Sequence, residues 1–183
     1  MKKFLIMASI LWCAALSNAQ GLFTFSNFAL TPAAPIFVDV VGGPTKAGVG
    51  YSVDYVYAKQ PNINNASLLD VEGGTRSLTG TSGIFSGGDV TVPNYVGIIS
   101  LQIRAWLTAD GATYSAASIS GHTGASTIMQ VSLGNPDAIP PGTATSLEGK
   151  LSSFAVTASA VPEPSTIALG VMGLSVLLFR RRK

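Results

Sequence analysis

The sequence predicts an all-β body, a single antiparallel β-sandwich or jelly-roll-like domain, flanked by an N-terminal signal-peptide helix and a C-terminal transmembrane helix. Three observations carry that expectation. Short apolar runs alternate with clusters of Gly, Pro, Asn and Asp, and no long stretch of the body sustains a 3.6-residue period. Residues 96–108 alternate: Ile99, Leu101, Ile103, Ala105 and Leu107 point one way, and Ser100, Gln102, Arg104 and Trp106 the other. The two ends of the chain, by contrast, are continuous apolar runs lying beside Lys or Arg.

The N-terminal run has the three parts of an export signal. Lys2 and Lys3 precede an apolar stretch over residues 4–16, and Ser17-Asn18-Ala19 supplies the small residues of a cleavage site. Signal peptidase is expected to cut between Ala19 and Gln20. Cys13, the single cysteine of the 183 residues, falls inside this segment. Bulky Trp12 in front of it makes a poor lipidation box. The mature chain therefore has no thiol, which excludes disulfides and any cysteine-based metal site.

The body spans residues 20–155, a length suited to one domain. It holds Lys46, Lys59, Arg76, Arg104 and Lys150 against eight acidic residues, a net charge of −3, whereas the whole chain carries +2. A weakly acidic, charge-poor surface argues against nucleic acid as a partner. Strands are expected at residues 21–28, 36–41, 48–58, 77–79, 83–85, 89–92, 96–108, 126–133 and 150–158. Residues 96–108 read as a central strand with one wet face. Residues 48–58 behave similarly, with Tyr51, Val53, Tyr55 and Tyr57 opposed to Ser52, Asp54, Val56 and Ala58. Asp110-Gly111 makes a turn, residues 112–118 have room for one helical turn, and residues 135–142, with three prolines, form a loop. There is no internal repeat.

The tail follows a spacer at 156–164. Pro162 and Pro164 fix their own φ and push Val161 and Glu163 out of the helical region, so residues 161–164 are stiff and extended. Ser165 suits a helix N-cap. Residues 165–179 carry no charge and would make about 22 Å of helix, short against a hydrocarbon core of about 30 Å. Arg180, Arg181, Arg182 and Lys183 act as a stop-transfer cluster and hold the C-terminus in the cytoplasm. A plain single-span anchor shares most of these features; a core helix is disfavoured because it would be apolar all round with nothing after it.

Pro-Glu-Pro, a short apolar helix and a terminal basic cluster, in that order behind an export signal, resemble the PEP-CTERM sorting signal. The resemblance implies that Pro162, Glu163 and Pro164 are the sorting motif and that an exosortase, a membrane-embedded cysteine protease, is the processing partner. It further implies an exported protein of a Gram-negative-type bacterium, held transiently in the inner membrane and then passed to the cell surface or extracellular matrix. The Leu-Pro-x-Thr-Gly motif of a sortase tail is absent.

Chemistry in the body is sparse, and no catalytic residue, metal ligand set or cofactor is assigned. His122, the only histidine, lies between glycines in Ser120-Gly121-His122-Thr123-Gly124 and reads as a solvated loop residue. No Gly-x-Ser-x-Gly elbow accompanies it. The eight carboxylates are scattered. A glycosidase pair among them would make a secreted glycan hydrolase, and Asp70/Glu72 or Asp110 could sit at a Ca²⁺ turn, although no Asp-x-Asp-x-Asp loop is present. Trp106 shares a face with Arg104 and Gln102, the composition of a carbohydrate platform, so Trp106 and Arg104 are the candidate glycan contacts. The competing reading puts Trp106 in the core, and the same choice applies to the Tyr51/Tyr55/Tyr57 stripe. The sequence thus leads to a non-enzymatic structural or adhesive protein, with exopolysaccharide binding as the alternative.

Overall fold

A computed structural model describes residues 19–158 apart from Ala29, Thr79, Thr81 and Ser120. The expected export signal up to residue 18, the Pro-Glu-Pro motif, the apolar helix at 165–179 and the basic tail lie outside the described residues. Among those described, no helix is long and apolar enough to cross a membrane. The described residues are mostly β-sheet, with no closed barrel among them. The strands are β1 (Gly21–Ser26), β2 (Ile36–Val38), β3 (Tyr51–Ala58), β4 (Val71–Ser77), β5 (Ser86–Val92), β6 (Ile98–Leu107), β7 (His122–Ala125), β8 (Met129–Ser132) and β9 (Phe154–Ala158). One helical turn, α1 (Tyr114–Ala117), precedes β7.

The large sheet runs β2-β9-β7-β6-β3-β4, with β8 sharing the β7 edge of β6, and β1 pairs with β5 in a second sheet. Its centre is the long alternating strand. Antiparallel β6 and β3 stay in unbroken register from Tyr51 opposite Leu107 to Ala58 opposite Ser100. The inner face carries Val53, Tyr55, Tyr57, Ile99, Leu101, Ile103 and Ala105, all in the main core. Phe23 and Phe25 of β1 reach across to it, both packing edge-on against Tyr55 at 5.4 and 4.9 Å between ring centroids. Each such fully buried aromatic is worth about 1.5–3 kcal/mol in transfer from water, which keeps a two-stranded sheet in place. The tyrosine stripe is core.

Several expectations need correction. The large sheet is mixed rather than antiparallel, since β2 and β9 run parallel. The strand expected at 150–158 is present as β9 over Phe154–Ala158, so it overlaps the first three residues of the spacer drawn at 156–164. Ser77 closes β4, and residues 83–85 are loop, where Ile36 N–H donates to the Gly83 carbonyl at 2.9 Å. Two strands went unrecognised. The first, β4, is an exposed edge of sequence VEGGTRS, and its Gly73 lies so close to the Tyr55 ring that a Cβ there would overlap it. The second, β7, contains His122, which is therefore a strand residue and not a loop residue. Among the described residues Gln20, the residue that follows the expected cut, is the first that is paired, bridged to Tyr95.

Candidate functional site

The face of β3 and β6 turned away from the core holds the residues singled out for chemistry. Expected to be wet, it is covered: Ser52, Asp54, Val56, Ala58, Ser100, Arg104 and Trp106 are all buried. One end is closed by α1 and the other by the loop between β3 and β4.

Strand register places Asp54 directly opposite Arg104. Arg104 Nε donates to Asp54 Oδ1 at 2.9 Å and Nη2 to Oδ2 at 2.6 Å, a two-pronged pair with about a tenth of each side chain exposed. Its remaining nitrogen, Nη1, donates to Glu72 on β4 at 2.9 Å. The guanidinium carbon lies 4.7 Å from the centre of the Tyr114 ring, which caps it as a cation–π partner. Burial raises the Asp54 carboxyl above the ordinary aspartate value, against the hydrogen bonds and charge of Arg104, while Glu72 adds repulsion. Burial also disfavours charge on Arg104, yet its bonds to Asp54 and Glu72 prevail and hold it above its ordinary value. The two carboxylates that the fold does bring together are thus spent on one arginine. Glu72, weighed as a turn ligand for Ca²⁺, is on a strand, and among the described residues no group of three metal-ligating side chains forms.

Trp106 is fully buried. Its indole N–H donates to the Gly111 carbonyl at 2.8 Å, and Tyr114 meets its ring edge-on at 6.3 Å. The candidate glycan contacts Trp106 and Arg104 are accordingly withdrawn: both sit under α1, where no sugar can reach a ring face. Alternation located the face correctly but could not show that a single helical turn returns to cover it.

Asp110, at the end of the 3₁₀ turn after β6, ties down the start of β7. Its Oδ2 accepts from the His122 backbone N–H at 2.6 Å and lies 2.8 Å from the ring Nδ1. The backbone bond first, then the ring bond, lowers the Asp110 carboxyl below its ordinary value. A depressed folded value means that this contribution is complete above the ordinary aspartate range and is lost as pH falls through the folded value. The Asp110 side-chain carboxyl carbon, followed by NMR, should therefore titrate with a midpoint below the ordinary aspartate value of about 3.9. A midpoint above that value would refute the assignment.

Away from the ion cluster, the same face opens into a groove of about 590 Å³. Its floor lies where β7 leaves β6 and β8 begins, over Ser126–Ile128. At that break Ser126 serves both groups of Ile103, donating its N–H to the carbonyl at 2.8 Å and accepting the Ile103 N–H on Oγ at 3.0 Å. Gln102 donates from Nε2 to the Ser126 carbonyl at 2.8 Å. The opposite wall is the β3–β4 loop. Asn62 N–H donates to Gln130 Oε1 at 3.0 Å and Ile63 N–H to Ser100 Oγ at 3.1 Å. Beneath the wall, Val56, Ala58 and Leu69 form a second apolar cluster with Ile63 and Ile128 packed on it. Sequence reasoning missed this groove; the available signal was the run of carboxamides in Asn62-Ile63-Asn64-Asn65. Asn65 itself makes the local turn, accepting from Ser67 N–H at 3.0 Å.

Residues 160–183 match the PEP-CTERM protein-sorting motif. The match includes Pro162, Glu163 and Pro164 as well as the four terminal basic residues, and it begins two positions after β9 ends. The motif is the C-terminal membrane-anchoring signal of an exported protein handled by exosortase. No curated protein and no solved structure matches the chain.

Proposed function

We propose that this chain is a non-enzymatic structural or adhesive component of the bacterial cell surface or extracellular matrix, with a sandwich-like body. In this reading signal peptidase cuts between Ala19 and Gln20. The apolar segment then lodges briefly in the inner membrane, stopped by Arg180, Arg181, Arg182 and Lys183, while exosortase acts near Pro162-Glu163-Pro164. The observation that carries the reading is the sorting motif at 160–183, joined almost directly to the last strand of the body. The non-enzymatic part is supported by the way Asp54, Glu72, Arg104 and Trp106 are bonded to one another or to the backbone. Replacing Pro162, Glu163 and Pro164 together with alanine should leave the chain in the membrane fraction, with release reduced at least tenfold. Unchanged release overturns the sorting step. Cells lacking the chain should lose cell–cell cohesion in the matrix; unaltered cohesion would remove the adhesive role and leave sorting intact.

A further inference from the structure

The groove over Ser126–Ile128 has a chemistry of its own. Four carboxamides face it, from Asn62, Asn64, Gln102 and Gln130, and no charged side chain lines it. A few residues away on the same face, Arg104, Asp54 and Glu72 are drawn together into their own cluster. A ligand entering the groove meets neither a cation to neutralise a phosphate or uronate nor an anion to hold an amine. Its partner is neutral.

The amides are also oriented beforehand. Gln102 presents Nε2 to the Ser126 carbonyl, which leaves Oε1 as an acceptor. Gln130 is fixed by Asn62 N–H on one atom and by Ser100 Oγ on the other. The side-chain amides of Asn62 and Asn64 make no hydrogen bond among the described residues. Carboxamides that offer a donor and an acceptor together suit hydroxyl groups, which also do both. Ile63 and Ile128 add an apolar patch for the C–H face of a ring. A peptide in extended form would instead seek unpaired backbone at a strand edge, whereas Gln102 lies within β6, paired with Val56 of β3 on one side and followed by Ile103, which Ser126 holds on the other.

We propose that this groove binds a short stretch of a neutral, hydroxyl-rich saccharide through Asn62, Asn64, Gln102 and Gln130. The site takes its setting from the adhesive role above and names that role's ligand. With no aromatic ring to stack on, a single site is weak, and useful attachment comes from many copies engaging one polymer.

Two substitutions remove side chains without disturbing the fold. Asn62 has a left-handed backbone (φ 62°) that glycine adopts freely, and Asn64 is exposed. The full chain in detergent micelles is titrated with cellohexaose, mannohexaose and maltohexaose, with hexagalacturonate and an uncharged peptide as controls. At least one neutral hexasaccharide should bind saturably, and the Asn62→Gly/Asn64→Ala double variant should bind it at least tenfold more weakly with an unchanged Tm. The proposal is overturned if none of the three binds, if the double variant binds as well as the native chain, or if hexagalacturonate or the peptide binds better. The double variant is still exported and released, so its failure to bind is distinguishable from failed sorting.

Discussion

An Arg104→Met chain should lose about 3–5 kcal/mol of folding stability, because the substitution strands the Asp54 carboxylate in a covered site without its cation. A domain of ordinary stability has about 5–15 kcal/mol in total, so the loss is a large part of it. The asymmetry of the pair is what makes the test specific. Asp54 and Arg104 share a two-pronged contact and are both buried, whereas Glu72 is 62 % exposed at its side chain. Glu72→Gln should therefore cost under about 1 kcal/mol. Removing both buried charges at once, in Asp54→Leu/Arg104→Met, should recover most of the single-variant loss. The pH dependence has a definite sign. Burial already raises the Asp54 carboxyl, and loss of Arg104 raises it further. The penalty is then fullest at neutral pH and shrinks as pH falls through the raised value, where the protonated acid needs no partner. Urea unfolding at several pH values reads all four chains. A penalty that grows on acidification would refute the buried-pair account.

Trp106→Ala should cost about 3–5 kcal/mol. It removes a fully buried indole that fills the space between the sheet and α1, and it leaves the Gly111 carbonyl without its donor. Trp106→Phe keeps part of the packing and should cost less, near the 1–3 kcal/mol of an unpartnered buried polar group. The chain has two tryptophans, Trp12 and Trp106. After removal of the export signal Trp106 alone fluoresces, so its emission should be blue-shifted and shielded from acrylamide. Easy quenching in the native chain would show an open indole and restore the platform that the covered face rules out. Loss of saccharide binding in Trp106→Ala, by contrast, would report unfolding and not a lost contact.

Alternation made the centre of the fold legible. The two rows of residues 96–108 and of residues 48–58 are the two faces of β6 and β3, and the aliphatic and tyrosine rows both enter the core. The rest was hidden for physical reasons. In β4, glycines stand where β-branched residues would announce a strand, because the Tyr55 ring occupies their Cβ space. In β7, four half-buried residues have no apolar row to reveal them, and the pairing comes from Asp110 and from β6. Burial of Trp106 depends on α1, which is too short to show a period. The groove is assembled from the β3–β4 loop, Gln102 and Gln130, parts far apart in the chain, and such a meeting leaves no local trace.

The place of β9 has a mechanical consequence. It is an interior strand, bonded to β2 along Phe154–Val156 and to β7 at His122 and Thr123. Only three residues separate its last position, Ala158, from Pro162, so the two are at most about 14 Å apart along extended chain. Anything that grips the C-terminus therefore pulls β9 along its own axis, close to the sheet. To draw it out, the ladders on both sides must slip together, so their hydrogen bonds share the load in shear and do not open one at a time like a zip. A tether fixed to an edge strand would peel.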